Sequence, residues 1–490
     1  MILYYYPRYN LSQSKMELTV LSDRMIKLSA TNSKVNAPDN ITFEGITFEN
    51  TRGGGIYGGL GADNITIRNC TFHNIDGYSI YVAGRGGQNI RFGEYSEWET
   101  LNSSTIDGGN NWLIENNIFY QLSSCVLELL GGGDWRDLTP SNHKLRNNYV
   151  TLAQLEAPGG TRGIGMTGCR GAYVENNLIH NLAFHAINDT GRGIYIRYNE
   201  INNAIKSTSD SGAIYSGRTL IGRGTEISYN FIKDVNHQID GQGQHNRAIY
   251  CDDEISQQII HHNILVDGDK AITFGGSSGQ VYDNTAVDMI TGYHVHAYGG
   301  QWYATQIRKY NNWVNAVSRG MDPKAYEFYN KKFPAIMKEY EFYKNSPDGV
   351  CEALFNVITD NIGFNIGDEM PEDQYFIDRG GMAYGNDKYT EYDAFVDPDN
   401  YDYRIKKDSQ VYKDHPEIVS EDFDLSTIGI QWDEFGTKER ITNLRDFKMI
   451  YPQNKAGGIE RKNVNFVWQQ AVNADKYLFE LDRQEPLREW

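Results

Sequence analysis

Val174-Glu-Asn-Asn177 is one line of a pattern that returns along the chain. Its other copies are Ile114-Glu-Asn-Asn117, Leu145-Arg-Asn-Asn148, Ile196-Arg-Tyr-Asn199, Ile227-Ser-Tyr-Asn230, Ile260-His-His-Asn263 and Val281-Tyr-Asp-Asn284. Each asparagine follows an aliphatic residue by three positions, and successive asparagines are 31, 29, 22, 31, 33 and 21 residues apart. A self-similar unit of roughly 20–50 residues marks a solenoid. A second column runs in phase with the first: Gly55-Ile56-Tyr57, Ser79-Ile80-Tyr81, Gly163-Ile164, Ala186-Ile187, Ala213-Ile214-Tyr215, Ala248-Ile249-Tyr250 and Ala271-Ile272-Thr273. Segments such as Ile65-Thr-Ile-Arg68 and Glu226-Ile-Ser-Tyr229 alternate apolar and polar, the period of a strand with one buried face. The chain is therefore expected to be all-β, a parallel β-helix. Identical residues at a bend then stack about 4.8 Å apart. The asparagines form a ladder whose amides pair from coil to coil and satisfy turn backbone that is otherwise buried. That ladder is structural.

The 490 residues, 40% of them apolar, suffice for a long core, with the repeats expected over roughly 36–316. The expected division is N-terminal strands over 1–35, a β-helix over 36–455 with a helical insertion near 322–344, and a C-terminal β tail over 456–490. The formal charge of −18 leaves no basic footprint for nucleic acid. The five cysteines show no metal-type spacing and are odd in number, which suits buried thiols rather than a disulfide framework or a zinc site. No stretch is long and apolar enough to span a bilayer, and no cofactor motif is present. Asp322 and Pro323 are the expected N-cap and first-turn residues of the insertion, and Pro334 is expected to break it. Val464-Asn-Phe-Val-Trp468 and Lys476-Tyr-Leu-Phe-Glu-Leu481 resemble the first two strands of a fibronectin type III module. Two strands do not stand alone in water, so either a following domain or docking of these strands on the solenoid is expected.

Repeats that only stack stay regular, so the irregular unit from Asp210 to Asp253 is where chemistry is expected. It reads Asp210-Ser-Gly-Ala-Ile-Tyr-Ser-Gly-Arg218, then an insertion over 234–247 containing Asp240 and His245, then Ala248-Ile-Tyr-Cys-Asp-Asp253. Insertions in solenoids map to loops on one face, often the binding face. With Ile214 and Ile249 inward, Tyr215 and Tyr250 point outward, between Asn188 one coil before and Thr273 one coil after. By the same count Asp252 stacks between Gly217 and Gly275, and Arg218 beside Asp253. Carboxylates with nearby tyrosine, histidine and arginine are the equipment of glycoside hydrolysis. Tyrosine faces also suit sugar rings. His185, before its apolar column, His245, and His294, which alternates with His296, are candidate substrate contacts, as are Asp134 and Trp135 on a loop.

The same two segments, with Ile41-Thr-Phe-Glu-Gly-Ile-Thr-Phe-Glu-Asn-Thr-Arg52, Gly131-Gly-Gly-Asp134 and His185-Ala-Ile187, resemble glycoside hydrolase family 141, right-handed parallel β-helix enzymes that include α-L-fucosidases and xylanases. The resemblance covers most of the chain. It implies catalytic carboxylates at Asp210 and at one of Asp252 and Asp253, a carbohydrate substrate, and a secreted, periplasmic or cell-surface protein whose signal peptide precedes this chain. Thr219 stands where family members commonly carry an acid. A polysaccharide lyase is the alternative, with Asp252-Asp-Glu254 offering oxygens to calcium and Arg218 or Lys270 a base; a non-catalytic binding solenoid is the third reading. Along straight strands Asp210 and Asp252 lie seven residues, roughly 23 Å, out of step, whereas catalytic carboxylates stand about 5–9.5 Å apart. A bend at Ser211-Gly212 is expected to resolve this, the alternatives being Asp134, Glu128 or Asp240 as partner. The oligomeric state stays open.

Overall fold

Tyr173–Glu175, Leu178–Leu182 and His185–Asp189 are three short strands separated by corners, and together they make one coil. In the computed structural model each strand pairs in parallel with its counterparts one coil before and one after. Val174 sits between Leu145 and Ile196, Ile179 between Val150 and Ile201, and Ile187 between Ile164 and Ile214. Repetition of this unit produces a parallel β-helix. The structure describes residues 19–28, 38–59, 61–83, 109–133, 139–154, 161–217, 219–220, 222–235, 245–295, 300–319, 321–345, 353–367, 374–431, 437, 449–451 and 467–468.

The paired asparagines have two separate jobs. The first turns the corner: Asn116, Asn147 and Asn176 have φ of 57°, 56° and 55°, in the left-handed region that asparagine tolerates better than most residues. The second is buried and builds the ladder. Asn177 Oδ1 accepts from the backbone N–H and the Nδ2 of Asn148, while its own Nδ2 reaches Leu145 O and Asn199 Oδ1. The described ladder runs through Asn117, Asn148, Asn177, Asn199, Asn230, Asn263 and Asn284, and continues to Asn361 and Asn386. Cys70 takes the ladder position one coil earlier, its N–H donating to Asn117 Oδ1. The repeats thus extend beyond the expected limit near residue 316. Val281 pairs with Ile358, and Ile358 with Ala383, so helices are inserted between two adjacent coils.

Replacing Asn199 by Ala removes the ladder partner of three buried groups: the Asn177 N–H, one hydrogen of Asn177 Nδ2 and the Val174 carbonyl. At about 1–3 kcal/mol each, a loss of about 3 kcal/mol or more is expected. Urea unfolding checks it; an unchanged midpoint would mean that the ladder is decoration.

Inside the coils the aliphatic three residues before each ladder asparagine is fully buried, as at Ile114, Leu145, Val174, Ile196, Ile227 and Ile260. Each contributes about 1.5–3 kcal/mol. Phe48, Phe72 and Phe119 stack at 4.8 Å spacing beside them. Outward apolar residues Ile264, Val266 and Val287 are covered by the segment that follows the coils, through Phe395, Tyr403, Ile405 and Val419.

The inserted helices are α1 (Gly300–Val314), α2 (Pro323–Lys332) and α3 (Ala335–Lys344). Asp322 caps α2, accepting from Lys324 N at 2.7 Å, and Pro334 separates α2 from α3, as the sequence predicts. The α1 helix was not expected. Cys70, Cys125, Cys169 and Cys251 are buried thiols. Among the described residues no helix is long and apolar enough to cross a membrane.

Two compact units divide the chain, Leu18–Thr437 and a second formed by Met1–Glu17 with Lys438–Trp490. In the second, Met449–Tyr451 pairs antiparallel with Val467–Trp468. The fibronectin-like reading of 456–490 otherwise falls outside the described residues.

Candidate active site

Strand pairing sets an outward column on one face of the coils: Tyr57, Tyr81, Glu128, Gly165, Asn188, Tyr215, Tyr250, Thr273 and His294, each beside the next. Three residues earlier in each strand runs a second outward column, in which Arg162 pairs with His185 and Arg247 stands between Gly212 and Lys270. Two residues later lies Asp252, whose N–H donates to Ser216 O at 2.7 Å. It stands between Gly217 and Gly275 as the count of residues predicts. A Cβ on Gly217 would meet Asp252 Cβ at 3.1 Å, and Gly275 N–H donates to Cys251 O.

The three columns converge at Tyr215 and Tyr250. Tyr215 Oη donates to Asp252 Oδ2 at 2.7 Å, and the Tyr250 phenol hydrogen-bonds the same carboxylate. The two rings meet edge to face at 5.5 Å. Arg247 lays its guanidinium 4.0 Å from the centre of the Tyr250 ring and donates from Nη1 to Asp210 Oδ1 at 2.7 Å. Asp252 is buried, whereas the Asp210 side chain is 72% exposed and open to a ligand. Burial, then the charges of Asp252 and Asp210, raise the pKa of Tyr250, so both carboxylates lie within electrostatic reach of one phenol.

The left-handed residue falls one position before the expected bend. Asp210 itself is left-handed, with φ of 59°, while Ser211 and Gly212 already belong to the strand Ser211–Ser216 and pair with Asn246 and Arg247. Aspartate is among the side chains that enter this region most readily.

His185 stacks on Tyr215 with ring centres 4.4 Å apart and also packs against Phe184. Its Nδ1 lies 2.9 Å from Gly212 O. A carbonyl only accepts, so Nδ1 carries the proton and Nε2 is left as an acceptor. Burial pushes its pKa down to about 3. Below about pH 6.5 the unfolded chain takes up a proton here that the fold refuses. The stability this residue contributes is complete above pH 6.5 and lost as pH falls toward 3. Asp189, pushed up to about 6 by burial, works in the opposite sense, since the fold holds its proton above the ordinary carboxylate range. His185→Gln is expected to narrow the stability gap between pH 7 and pH 4.5 in thermal melts; an unchanged gap would remove His185 from the acid response.

The remaining candidates separate. Asp253 is buried beside Asp252, and its carbonyl closes the turn to Ile255 N–H. Glu254 pairs with Lys309 of α1. His245 is exposed, and its carbonyl, not its imidazole, accepts from Arg247. His294 extends the outward column two rungs past Tyr250. Arg218, Asp134, Trp135, Asp240 and His296 lie outside the described residues.

Glu128 is not the partner of Asp252. It folds over Gly165, pairs with Arg162 at 3.0 Å and accepts from Thr167 Oγ1 at 2.6 Å. It also lies three rungs from Tyr215, about 14 Å along the axis at about 4.8 Å per rung, beyond the reach of a carboxylate pair. Sequence reasoning missed Arg247. The available signal was its position immediately before an Ala-Ile-Tyr column, where His185 and Lys270 also precede an alanine.

The sequence matches no family profile and no curated protein. Among solved structures the chain is similar to a glycoside hydrolase, with a TM-score of 0.34 and 13% identity over 49% of this chain and 37% of that one. It is also similar to a PL6 family polysaccharide lyase from Pseudopedobacter saltans, with a TM-score of 0.33 and 9% identity over 84% and 95% of the two chains. For a PL6 family alginate lyase the values are 0.38 and 11%, over 86% and 56%.

Proposed function

We propose that the protein is a glycoside hydrolase acting on polysaccharide or oligosaccharides derived from it, with Asp252 and Asp210 as its reactive carboxylates. One observation carries the reading: a buried aspartate is fixed by two tyrosine hydroxyls, and the Arg247 guanidinium, which lies over one of those rings, holds an exposed aspartate. Two phenols hold the Asp252 carboxylate in place, which suits it to serve as nucleophile or as base toward water. Asp210, open to solvent, is the carboxyl that a leaving oxygen reaches. For it to donate a proton, the bound sugar must draw Arg247 away or share its charge. His185 Nε2 accepts from a sugar hydroxyl, and Tyr215 and Tyr250 bound the ring. The resemblance to family 141 supports the same pair and directs attention to fucosylated and xylan substrates. An extracellular or periplasmic setting follows from where such polymers are met.

A second reading rests on Arg247 and Lys270 occupying adjacent rungs. A lyase uses such cations to neutralise an acidic sugar and to move its proton. Product mass decides between them on a panel of xylans, pectins and fucosylated oligosaccharides. Products that have gained water support hydrolysis; unsaturated products without added water overturn it.

Gly217 gives a sharper check of the geometry. An added Cβ would stand 2.7 Å from Tyr215 Oη as well as crowding Asp252. Gly217→Ala is expected to push the phenol off the carboxylate and lower kcat/KM by about 10²-fold. Combining it with Tyr215→Phe should add nothing further, since both act on one hydrogen bond. Additive losses would show that the bond is not what Gly217 protects.

A further inference from the structure

Five rungs from Tyr250 on the same face, the first coils enclose a pocket of about 210 Å³. Ser22, Asp23 and Arg24 form one wall, Tyr78 and Tyr81 the other. Glycines keep its base clear because neighbouring coils come too close for any side chain. A Cβ on Gly53 would meet Asp23 O at 1.9 Å, and one on Gly77 would meet Gly53 O at 2.6 Å. The aromatic wall is organised: Tyr81 lies 4.7 Å from Tyr78 and stacks at 5.9 Å on Tyr57, whose other partner is the Arg24 guanidinium at 4.3 Å. Ring faces beside a carboxylate, a guanidinium and a hydroxyl match a sugar, which offers C–H groups to a ring and hydroxyls to its rim. The volume is smaller than the roughly 300–1,000 Å³ of sites for drug-sized ligands and suits one sugar ring.

The outward column runs on from this pocket to Asp252, with Glu128 and Asn188 buried in it. Tyr81 is followed in the outward column by Glu128, Gly165, Asn188 and Tyr215. Gly165 leaves a gap that Glu128 fills by folding over it, and Arg162 bridges Glu128 to Asn188 Oδ1 at 3.2 Å. The result is a row of planar, hydrogen-bonding groups. From Tyr81 to Tyr250 it spans five rungs, about 24 Å, or about five sugar rings end to end.

We propose that this pocket is a remote saccharide subsite, and that the substrate cleaved at Asp252 is a chain of about five rings or more lying along the axis of the coils. The proposal rests on the carbohydrate reading of the Asp252 site and adds the length and direction of the substrate.

The test measures binding of xylan and homogalacturonan oligosaccharides, from dimer to octamer, to the Asp252→Asn protein, with Tyr81→Ala or Arg24→Ala added. Arg24 is exposed, so its variant carries the test if Tyr81→Ala fails to fold. Affinity is expected to step up once the chain reaches about five units. Either added substitution should remove about tenfold from the long oligosaccharides and nothing from dimers and trimers. Affinity independent of length, no binding at any length, or long-chain affinity unchanged by both substitutions overturns the subsite. Product chemistry of the unmodified protein is read separately. Unsaturated products would replace the hydrolase while leaving the binding step standing; hydrated products with no length dependence would keep the hydrolase and remove the subsite.

Discussion

Asp252→Asn is expected to lower kcat by about 10³-fold or more while leaving the melting temperature unchanged. Asparagine keeps an oxygen for the Tyr215 hydroxyl, which now lies 2.7 Å from Asp252 Oδ2, so packing is preserved and only the charge is lost. A carboxylate acting as nucleophile or as base toward water cannot be replaced by an amide, and losses of about 10²–10⁴ are usual when such a group is removed. Asp210→Asn should produce a loss of similar order, with the difference that Arg247 also loses the acceptor it reaches at 2.7 Å. The Asp252→Ala protein with added azide then separates two mechanisms. Recovery of cleavage with an azido sugar as product identifies Asp252 as a nucleophile in a retaining reaction, and its absence points to a water-activating base. Activity within tenfold of the unmodified protein in both asparagine variants would sink the two-carboxylate reading.

The second large effect concerns the insertion. Arg223 and Glu339 have fully buried side chains and meet in a two-pronged ion pair, Nη1 to Oε1 at 3.1 Å and Nη2 to Oε2 at 2.6 Å. Tyr310 Oη and Ser278 Oγ complete the carboxylate, while Gln257 Oε1 and Leu220 O complete the guanidinium. Burial opposes the charge on Arg223, but Glu339 outweighs it and holds the guanidinium above its ordinary range. This cluster fastens α1 and α3 to the coils, six residues along the chain from Gly217. Glu339→Ala leaves a buried guanidinium without its counter-charge, and a loss of about 3–5 kcal/mol is expected. Replacing the pair together, Arg223→Met with Glu339→Leu, should recover most of it, because desolvating two charges costs nearly as much as their attraction returns. Chemical denaturation of the two variants checks this. Equal destabilisation would show that the pair itself, rather than the orphaned charge, carries the stability.

The asparagine ladder and the inward aliphatics were legible in the sequence because both follow from one local requirement. A corner needs a left-handed residue and a buried amide at a fixed distance from a buried aliphatic, and the chain writes that as Ile-x-Asn-Asn. The rungs at Asn361 and Asn386 obey the same rule, as Ile358-Thr-Asp-Asn361 and Ala383-Tyr-Gly-Asn386, but the helices separate Asn284 from Asn361 by 77 residues and so break the period. The neighbours of Asp252 were also legible. In-register stacking makes counting along one coil equivalent to counting across coils, so Gly217, Tyr215, Tyr250 and Thr273 fell into place.

By itself, then, the sequence determined the solenoid, its period, the outward tyrosines and the placing of Asp252, since each is set by a repeat of period two within a strand and one unit per coil. The tertiary structure alone decided that Asp210 is left-handed, that Arg247 holds its carboxylate, and that Glu128 lies over Gly165 away from the site. It also decided that Glu339, on a helix inserted between coils, closes on Arg223 116 residues earlier. These features depend on departures from the repeat. A left-handed corner, a long side chain reaching over a ring and a helix docking from outside the coils are selected by the space and charge that neighbouring coils leave open, which no local pattern records.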